Sequence, residues 1–237
     1  MRELRNRDRR VIEAVARHFS AIWQNGGEDS PAAYLTIAGK RIAVEVTAIK
    51  QRITEWGELA RPRLRFDRVA LGLVGSLQTA LHEFIPDGHT VILTITAPIR
   101  LPAKTAAALE DRIRACLERH STQTEVKDTI HGNQIRLRLV KGVSRGKSKV
   151  IGFVHNPDSD PDVLLGLTQS LLQHIGEAAG RPAPKRFTGH RWLVVANEDG
   201  LPHFETYRHI YFQLSIPTDF KKILIVLANG RVETLTG

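Results

Sequence analysis

The apolar residues of this 237-residue chain change period repeatedly, from 3.6 to 2 and back, and that switching limits it to folds in which helices and strands alternate. Val11, Ile12, Val15, Phe19, Ile22 and Trp23 recur at helical spacing, predicting a helix over Leu4–Gln24 that stops at Asn25-Gly26-Gly27. Tyr34–Ala38 and Arg41–Ile49 then alternate as strands about Gly39-Lys40, the signature of a tight hairpin. The helical period returns from Phe66 to Phe84 and ends at Pro86-Asp87-Gly88. A strand over Val91–Thr96 and a helix opening just after Pro102 follow. Thr124–Asp128, Ile135–Val140 and Val150–His155 read as a meander, and Pro161–Glu177 as a further helix. The stretch Gly176–His190, rich in Gly, Pro, Lys and Arg, reads as a mobile basic connection. Trp192–Asn197 reads as a strand, and Ile223–Leu227 with Val232–Leu235 as a closing hairpin about Asn229-Gly230.

The expected fold is therefore mixed α/β, a single compact domain over residues 1–237 with an inserted subregion near 88–155. With 42% hydrophobic and 25% charged residues the chain can bury a core of its own. The one cysteine, Cys116, permits no internal disulfide and no cysteine-based zinc site, which suits a reducing compartment; a cytoplasmic location is expected. Apolar runs such as Ile223–Ala228 fall far short of a membrane span, and the charged opening Arg2–Arg10 does not read as a signal peptide.

Lys and Arg number 34 against 25 Asp and Glu, a formal charge of +9. An excess of that size favours polyanions, because each neutralised phosphate releases condensed counterions; nucleic acid is the expected partner and a membrane is not. Two basic clusters are candidate phosphate contacts: Arg61, Arg63, Arg65 and Arg68, and Arg145, Lys147 and Lys149. The second lies in Gly142-Val143-Ser144-Arg145-Gly146, which spells G-x-S-x-G but runs into a strand instead of a helix, so a serine nucleophile is not expected. The same segment, Gly142 to Gly146-Lys147-Ser148, has three residues between its glycines where a phosphate-cradling loop has four.

Glu45 is the residue that asks for an explanation. In Ile42-Ala43-Val44-Glu45-Val46-Thr47, alternation places Ile42, Val44 and Val46 on one face and Ala43, Glu45 and Thr47 on the other. A carboxylate in so apolar a strand needs a metal, a base or a hydrogen-bond donor to offset its lost hydration. Upstream, Glu28-Asp29-Ser30-Pro31 sets Asp29 16 residues before Glu45.

An acid, a hairpin and an acid-x-residue strand resemble the PD-(D/E)XK, or restriction-endonuclease-like, nuclease superfamily over about Val11–Ile49, with Trp192–Val195 compatible with a later core strand. The resemblance implies a central mixed sheet flanked by helices, with an inserted α/β segment, and a metal-dependent phosphodiesterase acting on DNA or RNA. Asp29, or else Glu28, and Glu45 would then ligate Mg²⁺. Glu13 would be the extra helical acid, or alternatively an ion-pair partner of Arg17. Thr47 stands where the family has lysine; Lys50, Lys40 or a basic residue of 176–190 would have to supply that charge. The other expectation is a non-catalytic nucleic-acid-binding or protein-interaction protein on the same scaffold.

Overall fold

The computed structural model describes residues 4–26, 31–49, 68–118, 125–141, 148–155, 161–183, 187–197, 204–214 and 216–236. It is mixed α/β, as the sequence predicts. Two compact units divide the chain: Met1–Arg52 with His174–Tyr211 and Pro217–Gly237, and Ile53–Gln173 with Phe212–Ile216. The second therefore enters the sequence of the first as an insertion that contains residues 88–155.

The first unit opens with α1 (Asn6–His18), which turns Val11, Ile12 and Val15 to one side. Asp8 sits in its first turn beside Arg5 and Arg7, while Arg17 and His18 occupy the last, matching the helix dipole at both ends. The helix stops six residues earlier than its apolar spacing predicts. Ser20 adopts φ +50°, Ala21 N–H donates to the Ala16 carbonyl at 2.8 Å and Ser20 N–H to that of Arg17 at 3.2 Å. That is a Schellman cap built without glycine, and the Ile22–Trp23 pair it releases is strand β1 (Ile22–Asn25).

β2 (Ala33–Ile37) and β3 (Lys40–Ala48) form the predicted hairpin, one residue out of phase with expectation: Ile37 pairs with Lys40 across Ala38 (φ +48°) and Gly39 (φ +75°). Positive φ at both central residues is the condition for the type I′ turn, whose twist suits two-residue hairpins. With β8 (His190–Asn197), β9 (Lys222–Leu227) and β10 (Val232–Thr236) these strands make a sheet of order β1-β2-β3-β8-β9-β10. β3–β8 and β8–β9 are parallel and the other pairs antiparallel. α1 covers the face formed by Leu35, Ile42, Val44, Trp192, Val194, Leu224 and Val226. Glu45, Thr47, Arg191 and Asn197 alternate onto the other face. Asn197 Nδ2 there donates to the buried Tyr207 hydroxyl at 2.7 Å, tying down α5 (Phe204–Leu214).

The second unit is built on α2 (Arg68–Leu81), β4 (His89–Thr96), α3 (Pro102–Glu118), β5 (Glu125–Ile130), β6 (Asn133–Lys141), β7 (Val150–His155) and the first part of α4 (Pro161–Ala179). Leu73, Leu77 and Leu81 of α2 and Leu109 and Ile113 of α3 join Val91, Leu93, Ile95, Ile135 and Leu137 in its core. Of the meander expected over β5–β7, the β5–β6 hairpin forms but β7 does not join β6. The order is β5-β6-β4-β7, with β4 antiparallel to β6 and parallel to β7. A parallel neighbour needs a long crossover, which the segments between β4 and β7 provide.

Candidate functional site

Glu45 lies mid-strand on β3, 8% exposed, paired laterally with Leu193 of β8. Two pairs earlier, on the same face, Ala43 stands opposite Arg191, which is 5% exposed. A small residue at 43 leaves room for the guanidinium to lie along the strand to the carboxylate. Arg191 Nη2 donates to Glu45 Oε1, and Nη1 to Asp219 Oδ2 in the segment leading into β9. Nη2 also reaches the Arg181 carbonyl at 3.3 Å, and the guanidinium carbon lies 4.6 Å from the Phe220 ring centroid. Arg181 Nη1 stands 3.9 Å from Glu45 Oε2. Two acids thus meet two arginines, and the group is neutral overall. Burial works against the Arg191 charge, but the hydrogen bonds to Glu45 and Asp219 and their negative charge outweigh it and hold its pKa above the ordinary arginine value.

The base that the apolar strand demands of Glu45 is therefore Arg191, 146 residues away in sequence. This donor set does not fit Mg²⁺. Both Glu45 oxygens already face guanidinium groups, whose charge opposes a dication approaching the same atoms. No group of three or more His, Cys, Asp or Glu able to hold a metal occurs among the described residues. Thr47, on the same face and buried, pairs with Val195 and adds no charge.

Other residues singled out by the sequence fall elsewhere. Glu13 is on α1, which packs on the opposite side of the sheet from Glu45, so the two acids do not share a site. Its carboxylate takes Arg9 Nε at 2.9 Å, one turn back, whereas Arg17, the expected partner, donates to the Glu13 backbone carbonyl at 3.4 Å. Lys149 donates to the Ile85 carbonyl at 2.8 Å and pairs with Asp87 at 3.0 Å, so its ammonium ties the residue before β7 to the segment that follows α2. That hydrogen bond holds the Asp87 carboxyl below its ordinary range. Asp29, Glu28, Lys50, Arg61, Arg63, Arg65, Arg145 and Lys147 lie outside the described residues.

Arg181 falls in the basic stretch 176–190 that the sequence offered as a source of positive charge, whereas Arg191 and Asp219 were not legible as site residues. Arg191 has a sequence signal all the same: it is the charge that opens the apolar run Trp192–Ala196, as Glu45 is the charge within Ile42–Val46. Two opposite charges in two apolar strands can satisfy one another if the strands are neighbours. No helix of the described residues is long and apolar enough to cross a membrane. No protein-family model, no curated protein and no solved structure matches this chain.

Proposed function

We propose that this protein binds nucleic acid without cleaving it, on a scaffold of the restriction-endonuclease-like type. The observation that carries the reading is the Glu45–Arg191 pair: the acid that would anchor a catalytic Mg²⁺ is closed by a buried guanidinium from the adjacent parallel strand. The +9 formal charge supports a polyanionic partner, whose binding rests on counterion release and needs no reaction centre. The order of α1, β1, β2, β3, and β8 alongside β3, supports the scaffold.

Fluorescence anisotropy of labelled DNA and RNA strands in chelator tests this directly. Binding is expected without any divalent cation, with the logarithm of affinity falling linearly against the logarithm of salt. An affinity that appears only when Mg²⁺ or Mn²⁺ is added would contradict it.

A further inference from the structure

The sheet face that carries Glu45 continues outward across β2 and β1, and there it is open. Register sets Gln24 beside Tyr34 beside Ala43, and Ile22 beside Thr36 beside Arg41. The opposite sides of these strands carry Trp23, Leu35 and Ile42 against the α1 core, so the outward set is not needed to build that core. Ile22 is 72% exposed, and Gln24, Thr36 and Arg41 are exposed as well.

In this open patch Tyr34 is half-buried and engaged from two directions. The Arg41 guanidinium carbon lies 3.7 Å from its ring centroid, and the Phe187 ring lies 5.5 Å away, inclined by 48°. Phe187 is held from below by Gly189. A Cβ on Gly189 would collide with the Phe187 ring and with the Arg41 carbonyl, so only glycine lets the ring lie down on the chain at that point. The Arg41 guanidinium thus lies over the Tyr34 ring, with the Phe187 ring inclined against that ring, on a sheet surface. The buried acid on the same face, Glu45, is already neutralised by Arg191.

An aromatic ring beside a guanidinium plane on an exposed sheet face fits unpaired nucleobases, which offer a π-face that a duplex keeps stacked inside. Resting on the nucleic-acid reading above, we infer that the Tyr34–Phe187–Arg41 patch is a stacking platform for single-stranded nucleic acid. The occupant is a strand whose bases stack on the outward faces of the Phe187 ring and of the Arg41 guanidinium, which the Tyr34 ring backs. The platform selects for strandedness and leaves sequence largely unread, since every base has a π-face.

The test measures anisotropy with a labelled oligothymidylate, an oligouridylate and a mixed-sequence DNA duplex, using the full chain. The variants are Tyr34→Leu, Phe187→Leu and Tyr34→Phe, with thermal melts to check that each is folded. Leucine keeps apolar packing and removes the ring; phenylalanine keeps the ring. Wild type is expected to prefer the single strands over the duplex, each leucine variant to weaken single-strand binding by about tenfold, and Tyr34→Phe to bind as wild type does. Single-strand binding that persists within about twofold in both folded leucine variants, or duplex binding as tight as single-strand binding, overturns the platform while leaving the nucleic-acid reading in place. Failure of wild type to bind any of the three probes overturns both.

Discussion

Arg191 holds two carboxylates and lies beside an aromatic ring, at the head of the apolar run Trp192–Ala196 of its strand. A buried pair of this kind contributes little over a well-packed apolar substitute, yet removing one partner is expensive because the other charge stays behind. Arg191→Met alone should therefore destabilise the fold by about 3 kcal/mol, and Glu45→Gln with Arg191→Met together by much less, as read from urea midpoints. Equal losses in the single and double variants would show that the arginine acts through packing. His209 gives a pH-dependent counterpart. Burial lowers its pKa below 6.5, so the unfolded chain takes up the proton more readily than the folded one. Stability is then full at neutral pH and is lost as pH falls through the ordinary histidine value. The melting temperature should drop between about pH 7.5 and pH 5.5, and His209→Gln should flatten that drop.

At the scale of elements, two-residue turns with positive φ set two hairpins: Ala38-Gly39 in one and His131-Gly132 in the other. Alanine is poorly suited to the left-handed region, whereas asparagine tolerates it. Ala38→Asn should raise stability by about 0.5 kcal/mol in thermal or urea unfolding, and no gain would mean that the turn is not of the I′ type. Asn133, which follows the second turn, is buried and uses its side chain fully. Its Oδ1 accepts from Arg100 N–H at 2.7 Å, and its Nδ2 donates to the carbonyls of Arg100 and Ile130 and to the Thr105 hydroxyl. Asn133→Ala should cost about 2 kcal/mol, visible as a shifted urea midpoint with an unchanged slope.

These elements also show what could be read from sequence. Glycine marked the β2–β3 turn to within one residue, because its conformational freedom is a property of the residue itself. The end of α1 was hidden because serine, not glycine, takes the left-handed cap position, and β1 was read as helix in consequence. α5 carried a usable signal in Tyr207, Ile210 and Leu214, diluted by the polar residues between them. The β4–β6 and β4–β7 pairings were not legible, since partner choice is settled by packing between distant segments.

For the molecule as a whole, strand alternation revealed that Glu45 must have a partner, and only the fold could name it, because β8 returns beside β3 after the inserted unit. Function turns on that choice of partner. With Arg191 on Glu45, both charges of the pair are satisfied within the sheet, and on the proposed reading the chain's +9 formal charge serves a polyanionic partner without a metal at Glu45. Incubating labelled single- and double-stranded DNA and RNA with Mg²⁺ or Mn²⁺, wild type beside Glu45→Ala, tests this most directly. The account predicts bound but intact strands with wild type and no cleavage by either protein; cleavage by wild type that is lost in a folded Glu45→Ala variant would contradict it.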